Sequence, residues 1–145
     1  MRAVSDRLVR RKADPNVKII VSAKILIVDD EVMSRDMLKV FIEGEGHSVV
    51  ESENGFVALQ RLEKESFDLL ITDMMMPEQG GLETILQVKK RWLSVKILGM
   101  SGAVRNTSRS ILDWAKKAGA DLVIAKPFES EELLKAVREL LGSPE

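Results

Sequence analysis

The chain has 145 residues, the size of one ordinary domain, with 22 basic and 23 acidic side chains and a net charge of -1. A domain of that length buries roughly 70% of its unfolded surface and needs no disulfide or structural metal to fold; the lack of cysteine excludes disulfides and thiolate catalysis. Near-neutral charge gives no electrostatic reason to expect direct nucleic-acid binding or an anionic membrane partner. No apolar run approaches the ~20 residues of a membrane span, so membrane insertion is not expected, and basic Met1 to Lys12 lacks the apolar segment of a signal peptide. A cytoplasmic, reducing location is the expectation.

Charge is uneven. Residues 1–22 carry six basic residues (Arg2, Arg7, Arg10, Arg11, Lys12, Lys18) against two acidic ones (Asp6, Asp14), a surplus of four, which leaves -5 for the rest of the chain. The break near Ala23 divides a basic N-terminal extension, 1–23, from a main domain, 24–141, and a short tail, 142–145. The extension reads as a flexible arm, with docking or dimerisation as its other possible use. Nothing after Leu141 has the apolar content for a second core.

In the main domain, KILIV at Lys24 to Val28 is β-branched and too short for a helix, so it predicts a buried strand, ending in Asp29-Asp30-Glu31. Val32, Met33, Met37, Leu38, Phe41 and Ile42 follow at helical spacing until Gly44 and Gly46. Ser48 to Val50 predicts a second strand, and Asn54 is placed to cap a helix carrying Val57, Ala58, Leu59 and Leu62. Leu69-Leu70-Ile71 predicts the third strand, ending in Thr72-Asp73, and a loop with Pro77 and two glycines runs to Gly81. Leu82, Ile85, Leu86 and Val88 predict the next helix, and Val95 to Met100 a strand ending at Ser101-Gly102. Ile111 to Ala118 predicts a helix closed by Gly119, Leu122 to Ala125 a strand before Lys126-Pro127, and Glu131 to Leu141 an amphipathic final helix. Five strands alternating with five helices predict an α/β domain with a parallel sheet and helices on both faces, joined by right-handed crossovers.

The polar residues at the strand ends carry the functional argument. Asp29 and Asp30 follow the first strand, Asp73 the third, Ser101 the fourth and Lys126 the fifth. In an open parallel sheet the carboxyl ends lie along one edge, where ligands bind, so these five side chains are expected to converge. Three neighbouring carboxylates repel one another. A hard divalent cation resolves the conflict, and oxygen ligands without histidine or cysteine favour Mg²⁺ over zinc. A lysine and a hydroxyl opposite can hold phosphoryl oxygens, and phosphoryl transfer asks for little beyond positioning and charge neutralisation. Asp73 is the natural nucleophile, as a carboxylate forms an aspartyl-phosphate. Each piece also has an ordinary structural reading: Asp29-Asp30-Glu31 as a helix cap, Asp73 as a turn residue, Lys126-Pro127 as a solvated loop. Those readings explain poorly why all fall at strand ends.

The segments KILIVDDE, DLLITDMMMPEQGGLE, VKILGMSG and ADLVIAKPF resemble the successive motifs of response-regulator receiver domains of two-component signal transduction, over about residues 24–141. The chain looks like a single-domain, chemotaxis-regulator-like member. The resemblance implies a flavodoxin-like, doubly wound sheet of order 2-1-3-4-5 and a cis peptide before Pro127. It implies Asp73 as the acceptor of a phosphoryl group from a histidine kinase or phosphotransfer protein. It implies Mg²⁺ as cofactor, held by Asp30 directly, by Asp29 largely through water, by Asp73, and by the backbone carbonyl of Met75. Ser101 and Lys126 would contact the phosphoryl group, and the modified domain would address a downstream protein target. Such a domain is not an enzyme beyond its own Mg²⁺-dependent phosphorylation and dephosphorylation.

Three positions depart from the family pattern: Val123 where an aromatic residue often stands, Gly102 where alanine is commoner, and Gly80 where aspartate often follows the proline. Phosphorylation survives these changes, but a ring-flip readout at 123 does not, so switching is expected to run through Ser101–Gly102 and residues 105–108. His47 is the only histidine and reads as the opening of strand two. Met74 to Met76, Trp92 and Trp114 read as packing residues. A haloacid-dehalogenase-like phosphatase would place its nucleophile at Asp29, but the chain has no cap segment to enclose a substrate. A flavodoxin-like flavin carrier conflicts with the acidic first loop, and a degenerate receiver used only for binding conflicts with the intact acidic and basic set.

Overall fold

A computed structural model describes residues 8–10, 18–20, 22–74, 80–102, 113 and 115–142. Two short strands, β1 (Leu8–Arg10) and β2 (Lys18–Ile20), pair antiparallel ahead of the main domain. A flexible arm was the expectation for this stretch. The signal for the pairing is in the sequence: Asp14-Pro15-Asn16 is turn chemistry between two short β-prone runs.

The main domain then alternates β3 (Lys24–Val28), α1 (Val32–Gly44), β4 (Ser48–Ser52), α2 (Gly55–Lys64), β5 (Leu69–Asp73), α3 (Gly81–Arg91), β6 (Lys96–Gly102), β7 (Leu122–Lys126) and α4 (Ser130–Leu141). Residue 113 and residues 115–118, before β7, are helical. The sheet order is β4-β3-β5-β6-β7 and every pairing is parallel. Counted within this sheet the order is 2-1-3-4-5, as expected. The Lys126–Pro127 peptide is cis.

Side chains on a strand alternate between faces, and here that builds two cores. Leu26, Val28, Leu70 and Ile97 pack with Ala58 and Leu62 of α2, Ile85 and Val88 of α3, and Ala115. Ile25, Ile27, Leu69, Ile71, Leu98 and Met100 face the other way, onto Leu38 and Ile42 of α1 and Leu133, Val137 and Leu141 of α4. β5 is buried at every position because it lies mid-sheet between two helical layers. Helix ends follow the sequence signals. Asn54 Oδ1 accepts from the Val57 amide at 3.0 Å, and Gly142 closes α4 in the left-handed region at φ 75°.

Met74 is buried, and Trp92 is half-buried against the first core with the Arg91 guanidinium 4.3 Å from its ring centre. Both act in packing. Trp114, Met75 and Met76 lie outside the described residues. His47 does open β4: its Nδ1 accepts the Ala23 amide at 2.9 Å, tying the entry of β3 to that of β4. No described helix is long and apolar enough to cross a membrane.

Candidate functional site

The carboxyl edge of the sheet gathers the expected charges. β3 delivers Asp29 and Asp30, β5 ends on Asp73, and β7 ends on Lys126. Carboxylate oxygens of Asp29, Asp30 and Asp73 lie within 4.8 Å of one another. Asp29 is fully buried and Asp73 nearly so, while Asp30 is exposed. Lys126 bridges the two buried members, with its Nζ 2.8 Å from Asp29 Oδ2 and 3.2 Å from Asp73 Oδ2.

Asp29 works on two sides. Its Oδ1 accepts the Glu31 amide at 2.9 Å, holding the turn into α1, whose own N-cap residue Glu31 makes no side-chain cap. The structural reading of the acidic run as a helix lead-in is therefore correct for one oxygen. The other, Oδ2, faces the site and takes hydrogen bonds from Lys126 and from Ser34 Oγ at 2.6 Å. Burial works to raise the Asp29 pKa, but the bonds from Lys126, Ser34 and the Glu31 amide outweigh it and hold the group below 3.8. For Lys126 burial opposes the charge, yet the bond to Asp29 and the charges of Asp73 and Asp29 hold its pKa above 10.5. Both groups are thus ionised at neutral pH.

Ser101 is fully buried in β6, one residue beyond Met100, the partner of Asp73 across the sheet, and its hydroxyl donates to the Gly102 carbonyl at 3.3 Å. β6 continues through Ser101 and Gly102, which pair with Ala125 and Lys126. Val123 is half-buried. A Cβ on Gly99 would lie 3.2 Å from Val123 Cγ1 and 3.2 Å from Met74 Sδ, so Gly99 makes room for both. The Met75 carbonyl and residues 105–108 lie outside the described residues.

Three residues the sequence reading did not single out shape the site. Ser34 and Arg35, from the first turn of α1, bond to Asp29, Arg35 through its Nη1 to the carbonyl at 2.6 Å. Gly81 starts α3 so close to Asp73 that a Cβ would meet its carbonyl oxygen at 2.4 Å. A polar residue five positions after an aspartate is too common a pattern to be noticed; a glycine heading a helix beside an acceptor loop is a readable signal.

A doubly wound parallel sheet with an acidic trio and a lysine on its carboxyl edge defines a flavodoxin-like α/β domain. The chain belongs to the response regulator receiver domain family, whose model matches residues 25–138. It is similar to chemotaxis protein CheY of Bacillus subtilis, 35% identical over 120 residues that cover 82% of this chain and 98% of that protein. It is also similar to transcriptional regulatory protein ResD of Bacillus subtilis, 34% identical over 119 residues, 81% of this chain but 48% of ResD. The chain spans about half the length of the transcriptional regulators it matches. Among solved structures, response regulator TrrA from Thermotoga maritima, in complex with Mg²⁺-BeF, superposes with a TM-score of 0.72 at 36% identity, covering 81% of this chain and 98% of TrrA.

Proposed function

We propose that this domain is a phosphoacceptor in which Asp73 takes a phosphoryl group from a phosphohistidine of a histidine kinase or phosphotransfer protein, and so changes its binding to a downstream protein target. The observation that carries the reading is the single Lys126 ammonium bridging Asp29 and Asp73 inside a trio of carboxylates. Among the described residues one ammonium, Lys126, stands among three carboxylates, and the ligands these offer are oxygens. That donor set fits Mg²⁺. Asp29, Asp30 and Asp73 would hold the ion, which when bound neutralises carboxylate charge and polarises phosphoryl oxygens. The TrrA complex with Mg²⁺-BeF supports the same metal here.

The chain's own residues supply the remainder. A carboxylate oxygen of Asp73 forms the new P–O bond as the P–N bond to the donor imidazole breaks, the electron pair staying on nitrogen. Lys126 Nζ shifts from Asp29 to a phosphoryl oxygen, and the Ser101 hydroxyl turns from the Gly102 carbonyl to another. The domain turns over no separate substrate; phosphorylation and dephosphorylation of Asp73 are its only chemistry. With Val123 in place of a ring, the signal leaves through Ser101 and Gly102, where a Cβ would meet nothing within 4 Å among the described residues.

The donor has to reach Asp73 from the same edge. α1 exposes Met33, Met37 and Val40 as one stripe. Below it an open groove of about 410 Å³, lined by Glu31, Ser34, Met37, Lys126, Pro127 and Phe128, leads to the lysine. An apolar helical stripe adjoining the reactive edge fits a helical donor.

The test is incubation with acetyl phosphate and Mg²⁺, followed by intact mass and peptide mapping. One phosphoryl group is expected on Asp73, lost in Asp73→Asn; modification mapped chiefly to another residue of the wild type would overturn the reading.

A further inference from the structure

Asp29 has to keep its geometry while Lys126 changes partners. In the resting arrangement its Oδ2 is shared: Lys126 Nζ reaches it at 2.8 Å and Ser34 Oγ at 2.6 Å. The Ser34 oxygen also accepts from Lys126 Nζ at 3.4 Å. When the ammonium moves to a phosphoryl group, Asp29, in a fully buried position, loses the one cationic side chain that pairs with its carboxylate among the described residues. A buried carboxylate stripped of a partner takes up a proton or swings toward another donor unless its bonds are otherwise satisfied. Ser34 and the Glu31 amide remain, one on each oxygen.

Ser34 is not occupied by helix capping. It sits inside α1, past the N-cap residue Glu31, and its hydroxyl points back to Asp29 Oδ2. The backbone around it is fixed as well: the Arg35 amide bonds the Glu31 carbonyl at 3.1 Å and the Arg35 side chain holds the Asp29 carbonyl at 2.6 Å.

We propose that Ser34 is a positioning residue of the phosphoacceptor site: its hydroxyl, opposite the Glu31 amide, holds Asp29 in the rotamer that serves the metal and lets Lys126 leave without Asp29 following. The proposal rests on the reading of Asp29, Asp30 and Asp73 as a Mg²⁺ site. It assigns Ser34 no contact with the phosphoryl group. Partners that orient a metal-site carboxylate this way typically change metal affinity 10- to 100-fold when removed. The exposed Asp30 shares the load here, so about tenfold is expected.

The experiment is Mg²⁺ titration by calorimetry on unphosphorylated wild type, Ser34→Ala, Ser34→Thr and Asp30→Ala, with melting curves in EDTA alongside. Alanine favours a helix interior, so Ser34→Ala folds and melts in EDTA near the wild-type temperature. Its Mg²⁺ Kd rises about tenfold, while Ser34→Thr, which keeps the hydroxyl, stays within about twofold. If Ser34→Ala binds Mg²⁺ like wild type while Asp30→Ala loses it, the metal site stands and the role of Ser34 is refuted. If threonine weakens binding as much as alanine, the hydroxyl is not the determinant and the proposal is refuted too. If Asp30→Ala also binds like wild type, the metal site itself is refuted and the proposal goes with it.

Discussion

Gly81→Ala places a methyl group where the backbone at the end of β5 already is. The added Cβ would lie 2.4 Å from the Asp73 carbonyl oxygen and 2.6 Å from Met74 Cα. Ordinary carbon–oxygen contacts begin near 3.3 Å and carbon–carbon contacts near 3.5 Å, so roughly 0.9 Å of clearance is missing. Both blocking atoms are backbone, and β5 is pinned between β3 and β6, so no side-chain rotation relieves the clash. Either α3 lifts from the sheet or the end of β5 shifts. Overpacking of this kind costs about 1–3 kcal/mol. If Asp73 takes up even part of the movement, a misplacement near 1 Å can slow its reaction by about 10²-fold. The assay pairs denaturant unfolding with the rate of phosphorylation from acetyl phosphate. Gly80→Ala is the control: one residue earlier, its Cβ meets nothing within 4 Å among the described residues, and it is expected to change neither measurement. A Gly81→Ala protein with wild-type stability and wild-type rate would refute the claim that this approach positions Asp73.

Lys126→Met leaves Asp29 and Asp73 facing each other without their shared ammonium; a loss of about 3 kcal/mol is expected, the low end for breaking a buried pair, and Mg²⁺ should raise the melting temperature of the variant more than that of wild type, which parallel melts would check. His47 is held below 6.5 chiefly by burial, with Glu45 and Asp68 pulling the other way. A folded-state value below the unfolded one means its stabilisation is full above pH 6.5 and is lost as pH falls below it, and the Ala23 amide then loses its acceptor. Unfolding free energies from denaturant melts should fall more between about pH 7.5 and 5.5 in wild type than in His47→Gln; equal falls would remove His47 as the cause. Met33→Glu with Val40→Glu on the exposed stripe of α1 should slow transfer from a protein phosphodonor far more than from acetyl phosphate, and equal slowing would place the donor elsewhere.

The sheet was legible because its physics is local and repetitive. KILIV and LLITD are too short for helices and lie between helical periods, so alternation dictated a parallel sheet with the reactive residues on one edge, while the strand order came from the family resemblance. That Asp29, Asp30, Asp73 and Lys126 converge followed from strand ends and not from distances. Ser34, Arg35 and Gly81 were not legible to the same degree. Their roles depend on how α1 and α3 dock onto β3 and β5, a packing relation that no single window of sequence contains. The β1–β2 pairing was missed for a different reason: strands of three residues carry too little periodicity to compete with the charge of the arm, and the turn-prone composition of Asp14-Pro15-Asn16 is their one sequence signal.

If Asp73 is the phosphoacceptor proposed above, the position of Lys126 explains how one site would be stable both empty of phosphate and carrying it. Two buried carboxylates close together repel one another unless a cation stands between them. The ammonium resolves this in the resting protein by standing between Asp29 and Asp73. It is also a group that a phosphoryl modification, adding about -1.5 to -2 charges, would draw away. On the proposed reading, the same cation pairs with the acceptor before transfer and answers its new charge afterwards. Its stem is flexible and its charge compact, whereas an arginine's planar fork would prefer one fixed carboxylate. On this reading Lys126→Arg should preserve folding while impairing the exchange of partners: phosphorylated Asp73 would form more slowly and Asp29 would remain paired. Near-normal stability with a reduced phosphorylation rate is the expected outcome, measured on the same preparation. An arginine variant that phosphorylates as fast as wild type would show that movement of this cation is not part of the reaction.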